Sequence, residues 1–85
     1  MRSINNYKRK PERIKAIKYK GKENFYEVMD FGSGNLFTSN EGKLYLETPK
    51  QVYPVFVGDW IIRKKTGVYS IMNDKLFKEK YEKES

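Results

Sequence analysis

The chain is 85 residues long, which is enough for one domain. It contains no Cys and no His, so disulfides and thiolate metal sites are excluded and the commonest general base near neutral pH is missing. Its net charge of +7 is concentrated at the two ends of the sequence, a distribution that indicates a polyanionic partner as readily as a need for solubility.

The first segment, residues 1–11, is polar and basic without hydrophobic periodicity, which predicts an N-terminal arm before a single domain over 12–85. Residues 12–20 then show two alternating apolar pairs whose phase slips by one residue between the pairs: Ile14 and Ala16, then Ile17 and Tyr19. The slip predicts a strand that either carries a bulge or is partly buried on both faces.

A short helix is predicted over residues 23–31, where Phe25, Val28 and Met29 follow helical spacing. Gly32 or Gly34 is the expected C-cap, because glycine adopts the left-handed conformation there without strain. A helix of this length is unstable alone, so we expect it to pack on a sheet.

From Leu36 onward the hydrophobic period changes to two, which predicts a meander of strands over 36–39, 43–48, 52–57, 60–65 and 68–72. Pro54 lacks an N–H and marks its strand as an edge strand or a bulged one. Asn73 is a predicted N-cap for a terminal helix that ends near Lys83 and carries Leu76, Phe77 and Tyr81 on one side.

The predicted element order is therefore β-α-β-β-β-β-β-α. It indicates an α+β fold, with a small antiparallel sheet or partly open barrel of five to six strands and two short helices. No stretch approaches the ~18 consecutive apolar residues of a transmembrane helix, and no secretion signal is present, so no membrane partner is expected.

Two blocks of the sequence resemble a family of short phage and prophage proteins of unknown function. The first is Tyr7-Lys8-Arg9-Lys10-Pro11 followed by Ala16-Ile17-Lys18-Tyr19. The second is Val57-Gly58-Asp59-Trp60-Ile61-Ile62, followed by Gly67 and then by Leu76-Phe77 and Tyr81-Glu82. The chain departs from the family pattern at Val57, which replaces a Pro, and at residues 71–74, which replace a Pro-Cys-Lys-Pro segment.

The resemblance implies a phage-encoded accessory protein. The absence of Cys and of a secretion signal indicates a cytoplasmic location, and the interior of a host cell is the expected one. The resemblance supplies no catalytic residue, cofactor or metal ligand. Small phage proteins of this kind usually act by occupying a host component, and defence machinery is a plausible target by analogy.

The Gly58-Asp59-Trp60 segment has the character of a structural turn. Gly allows a positive φ, the Asp carboxylate accepts backbone N–H bonds, and Trp60 enters the core together with Phe77 and Tyr81. Gly32-Ser33-Gly34-Asn35 follows a predicted helix instead of preceding one, so it is interpreted as a connector and not as a phosphate loop.

Two basic clusters form the candidate binding surface for an anion or partner: Lys8, Arg9, Lys10 and Arg13 near the N-terminus, and Arg63, Lys64 and Lys65 in a predicted hairpin. Tyr residues alternate with these clusters, but they are at positions where they could simply pack. No nucleic-acid-binding signature is present.

Two classes of function fit this sequence, and both are binding functions. The first is binding to a host protein or a small anionic signal, so as to block a host function. The alternative is nucleic-acid binding through the basic arm and the Arg63–Lys65 hairpin. An enzyme is not expected, because the sequence shows no nucleophile–base pair and no converging carboxylates. The oligomeric state is left open.

Overall fold

The structure is a computed structural model that describes the backbone of residues 5–9 and 12–83 and the side chains of residues 13–81. Its eight strands are β1 (Asn5–Arg9), β2 (Glu12–Lys18), β3 (Leu36–Thr38), β4 (Leu44–Glu47), β5 (Val52–Val55), β6 (Trp60–Lys64), β7 (Tyr69–Met72) and β8 (Glu82–Lys83). The two α-helices are α1 (Phe25–Gly32), preceded by a 3-10 turn over Gly21–Glu23, and α2 (Asp74–Lys80). Neither described helix is long and apolar enough to cross a membrane.

The strands form two antiparallel sheets. One has five strands in the order β7-β6-β2-β1-β8, and the other has three in the order β3-β4-β5. Neither sheet closes on itself, so the α+β prediction with an open arrangement is confirmed.

The predicted meander is divided between the two sheets at the turn before β6. The Gly58 N–H donates to the Tyr19 carbonyl and the Tyr19 N–H donates to the Asp59 carbonyl, both at 2.8 Å. These bonds tie the turn to the chain just after β2. As a result β6 pairs with β2 instead of continuing beside β5.

The N-terminal segment differs from the predicted arm. Asn5–Arg9 forms β1, which pairs with β2 from Asn5 opposite Ala16 to Arg9 opposite Glu12. The prediction rested on the missing apolar periodicity, but strand pairing is carried by main-chain hydrogen bonds and does not require an apolar pattern. β8 pairs with β1 and was also not predicted, which raises the strand count above the expected five to six.

The phase slip in β2 arises from burial on both faces, and the bulge is not formed. The register with β6 runs without interruption from Ile14 opposite Lys64 to Lys18 opposite Trp60. Ile14, Ala16 and Ile17 are all at most 3% exposed. A strand in the middle of a covered sheet is apolar on both sides, and this explains the broken alternation.

Each face of the five-stranded sheet has its own hydrophobic cluster. On one face, Ile17 and Ile61 pack with α1 and with the inner side of the three-stranded sheet, which contributes Leu36, Leu44, Leu46 and Val55. On the other face, Ala16 and Ile62 pack with α2. The molecule is therefore layered, and the five-stranded sheet lies in the middle.

Helix α1 ends differently from the prediction. The C-cap is Ser33, which adopts the left-handed conformation at φ 51°, and Gly32 is the last helical residue. Gly32 is placed there by packing, because a Cβ at this position would lie 2.4 Å from Leu36 Cδ1. The close approach of helix and strand therefore requires glycine inside the last turn instead of at the cap.

Two local predictions agree with the structure. β5 lies at the edge of the three-stranded sheet, as Pro54 indicated. Asn73 caps α2 by accepting the Leu76 N–H at 2.8 Å. The helix ends at Lys80, before the predicted Lys83, because Tyr81 is already extended.

Three aromatic rings join α2 to the sheet. The rings of Trp60 and Phe77 are stacked with centroids 4.0 Å apart, and those of Phe77 and Tyr81 with centroids 5.1 Å apart. The Trp60 indole N–H also donates to Asp74 Oδ1 at 2.8 Å, and this bond fixes the start of α2.

Asp74 makes the stability of this helix pH-dependent. The hydrogen bond from Trp60 lowers the pKa of Asp74 below its ordinary value of 3.8, and Lys78 and Lys18 act in the same direction against partial desolvation. A lowered pKa in the folded state adds stability above the ordinary value, and this stability is lost as the pH falls through the folded pKa. We therefore expect the difference in melting temperature between the native chain and Asp74→Asn to shrink in thermal scans from pH 5 toward pH 2.

Candidate functional site

An open groove of about 660 Å³ lies at one end of the five-stranded sheet, where β2 begins and β6 ends. Its lining combines five cationic side chains with two uncharged residues: Arg13, Lys15, Arg63, Lys64, Lys65, Ile14 and Gly67. We call this surface the cationic groove.

The β6–β7 turn forms one wall of the groove. The Gly67 N–H donates to the Lys64 carbonyl at 2.8 Å, and the Lys64 N–H donates to the Val68 carbonyl at 2.9 Å. Gly67 has φ 90°, which glycine adopts without strain. A three-residue loop of this kind ends in a residue of positive φ, so it holds Lys65 at the tip of the hairpin.

Strand pairing determines which cations share a face. Lys15 lies directly opposite Arg63, and Arg13 is two residues from Lys15 on the same strand, so all three are on the α1 side of the sheet. Lys64 lies opposite Ile14 and therefore on the α2 side. The groove therefore extends around the end of the sheet, and its cationic side chains come from both faces.

Arg63 is held in place by an aromatic ring. Its Cζ lies 5.3 Å from the centroid of the Phe31 ring, a cation–π contact. Phe31 in turn meets the Tyr69 ring edge-on at 6.1 Å, and the Tyr69 hydroxyl donates to the Phe31 carbonyl at 2.8 Å. The guanidinium therefore rests on a buried ring that α1 and β7 hold in place.

Among the side chains that the structure describes, no carboxylate lines the groove. Lys18 and Lys78 form ion pairs with Asp74, and Lys43 forms one with Glu41, all outside the groove. Like charges opposite each other on a sheet repel, so the pair formed by Lys15 and Arg63 is destabilising on its own. A bound anion would offset this repulsion.

The structure brings together four of the predicted binding residues: Arg13, Arg63, Lys64 and Lys65. Lys8 and Arg9 lie in β1, with Lys8 opposite Arg13, although their side chains are outside the described residues. Lys10 is also outside the described residues.

Sequence reasoning missed Lys15 and the aromatic support of Arg63. The period of two that marks a strand places Lys15 on the same face as Arg13, so the sequence contained enough information to include Lys15 in the candidate surface. The contact between Arg63 and Phe31 joins residues far apart in the chain, and no local pattern indicates it.

Gly58, Asp59 and Trp60 lie outside the groove and shape the turn before β6. Gly58 has φ 100°, and the Asp59 carboxylate accepts the Phe56 N–H at 3.0 Å. Trp60 is 9% exposed, and Phe77 and Tyr81 are buried beside it.

Among the described side chains, no group of three or more Asp or Glu residues is placed to hold a metal ion. A scan against protein-family models found no match, nor did searches of the curated proteins and of the solved structures. The candidate site therefore stands on its geometry alone.

Proposed function

We propose that this chain is a non-catalytic binding protein whose ligand is a small anion carrying phosphate groups, held in the cationic groove. The observation that carries the proposal is the convergence of five cationic side chains on one groove in which no described carboxylate lies. Charged groups of one sign in a concave surface raise the local concentration of a ligand of opposite charge. The groove's volume of about 660 Å³ is within the range of small-molecule sites.

The biological setting of this proposal comes from the sequence resemblance. A phage accessory protein that removes or masks a small phosphorylated signal would block a host function without any chemistry of its own. A chain without His or Cys is suited to such a role, because binding requires only charge and shape.

Neutralising the groove tests the proposal. We expect Lys15→Gln/Lys64→Gln/Lys65→Gln to bind ATP, used as a phosphate-bearing probe, at least about a hundredfold more weakly, because three charge-assisted contacts are removed. Isothermal titration calorimetry measures the affinity, and circular dichroism checks that the fold is intact.

The matched control is Lys22→Gln/Lys50→Gln/Lys75→Gln, which makes the same change in net charge at exposed positions outside the groove. It should bind the probe with nearly native affinity. If both triple variants bind ATP equally weakly, the net charge of the chain and not the groove attracts the anion. The cationic groove would then not be the binding site.

Nucleic-acid binding is the second candidate function. One observation favours it: β1 places Lys8 opposite Arg13, so cationic positions continue across the sheet beyond the groove. This candidate predicts affinity that increases with oligonucleotide length and falls steeply with salt, with a slope of about −0.7 for each phosphate contact on a single strand. A small-ligand site predicts instead that affinity does not increase with oligonucleotide length and that ATP binds at least as tightly as a long oligonucleotide.

A host protein is the remaining candidate partner, and a different surface would carry it. Phe37 and Tyr45 stack at 5.5 Å on the outer side of the three-stranded sheet, and Phe37 is 40% exposed. Aromatic side chains dominate protein interfaces. Capture of one host protein that persists at moderate salt, and is lost in Phe37→Ser but not in the groove variant, would favour this partner over an anion.

A further inference from the structure

We propose that the ligand of the cationic groove carries two or more linked phosphates, and that Arg63 is the residue that orients it. This inference rests on the proposed function and narrows it to a class of ligand. It follows from how closely the cations are spaced and from how differently they are held.

The spacing of the charges is the first argument. Lys15 and Arg63 are directly opposite in the register, where Cβ atoms lie about 4.5–5.5 Å apart. Arg13 is two residues away from Lys15, a distance of about 7 Å along the strand. A single phosphate group carries a charge of about −1.5 to −2 and offsets about two positive charges, whereas the lining holds four cationic side chains besides Arg13.

Linked phosphates match this arrangement better. Each further phosphate adds negative charge a few ångströms along the ligand, and the cations of the groove are likewise distributed along a strand and around the end of the sheet. The repulsion among the cations is then relieved along the whole groove. The affinity should therefore increase with the number of linked phosphates.

The support of Arg63 is the second argument. Its guanidinium rests on the Phe31 ring, and the Tyr69 hydroxyl fixes the backbone that carries that ring. A guanidinium held in this way loses little side-chain freedom on binding, and its planar fork matches two oxygens of a phosphate. Lys15 and Lys65 are exposed. A lysine ammonium is a point charge on a long four-carbon stem, so these residues add charge but little direction.

Inorganic phosphates of increasing length provide the test on the full chain. Orthophosphate, pyrophosphate and tripolyphosphate are titrated by calorimetry at constant ionic strength. We expect tripolyphosphate to bind at least about tenfold more tightly than orthophosphate, because it offers more charge-assisted contacts. Equal affinity for all three would overturn the inference.

Variants of Arg63 and of Phe31 separate the orienting role of Arg63 from the effect of its charge. Arg63→Lys keeps the positive charge but removes the fork, and Phe31→Leu keeps the arginine but removes the ring beneath it. We expect each to reduce the preference for tripolyphosphate over orthophosphate by about tenfold. Lys22→Arg, which makes a conservative change at an exposed position outside the groove, should keep the native preference.

The melting temperature of each variant without ligand provides the structural check, since Phe31 is buried and its replacement also affects stability. Arg63→Lys changes no buried ring, so a native melting temperature with a lost preference would support the orienting role. A native preference in Arg63→Lys would contradict it.

The results also distinguish this inference from the proposed function. If ATP binds in the groove but pyrophosphate and tripolyphosphate do not, the linked-phosphate inference is wrong and the anion-binding function stands. If no phosphate-bearing probe binds at low salt, both are wrong.

Discussion

Phe77→Ala is expected to lower the free energy of unfolding by about 3–5 kcal/mol, the usual cost of truncating a buried aromatic ring. Phe77 is 2% exposed and lies between Trp60 and Tyr81 in the stack that joins α2 to the sheet. Removing the middle ring leaves a cavity and ends both stacking contacts. Urea unfolding followed by circular dichroism measures the loss.

The neighbouring Leu76 provides the control for this prediction. It is on the same helix but is 38% exposed, so Leu76→Ala should cost much less than Phe77→Ala. For a domain of this size each kcal/mol shifts the melting temperature by about 4–8 °C, so the two variants should be easy to tell apart. Equal losses would mean that the ring stack does not determine how α2 docks.

Local signals in the sequence identified most of the elements. The Asn73 cap, the edge position marked by Pro54 and the strands from Leu36 onward all depend on residues close to one another in the chain. Such signals act through backbone conformation and hydrogen bonding, so they can be found without knowing the tertiary structure.

The arrangement of the strands depended on contacts between distant segments. The bonds between Tyr19 and the Gly58–Asp59 turn divide the predicted meander into two sheets, and the partners are about 40 residues apart in sequence. The phase slip at Ala16 and Ile17 left two interpretations open. Only the layers on both sides of β2 decide between them.

The sequence predicted part of the candidate site, as it predicted part of the fold. Clustered charge in the sequence identified Arg13 and the Arg63–Lys65 segment, because charge is a property of composition. The order in which β2 and β6 pair brings these clusters into one groove, and this order is a tertiary fact. Arg63 and Lys64 are neighbours in the sequence but lie on opposite faces of the sheet. A run of charges in the sequence does not show this difference.

The scaffold and the groove use different parts of the same strands. Ile17 and Ile61 lie in the covered half of β2 and β6, whereas Lys15 and Arg63 lie two residues further toward the end of the sheet. Substitutions in the groove should therefore change binding with little effect on stability. Arg63 differs from the lysines of the groove, because the Phe31 ring that supports it belongs to the hydrophobic core.

Asn24→Ala is expected to destabilise the fold by about 2–4 kcal/mol, since it leaves two backbone groups without their partner. Asn24 is only 7% exposed, and sequence analysis did not single it out. Its Oδ1 accepts the Lys20 N–H at 2.9 Å, and its Nδ2 donates to the Lys18 carbonyl at 2.7 Å. The side chain thus bridges the end of β2 and the start of α1.

Asn24→Asp separates the two bonds. The carboxylate can still accept from Lys20 but cannot donate to the Lys18 carbonyl, so we expect a loss at neutral pH comparable to that of the Ala variant. Asn40→Ala, at an exposed turn position, should be nearly neutral and serves as the control. Native stability of Asn24→Ala in urea unfolding would show that water replaces the amide at both backbone groups. The connection between β2 and α1 would then depend on apolar packing alone.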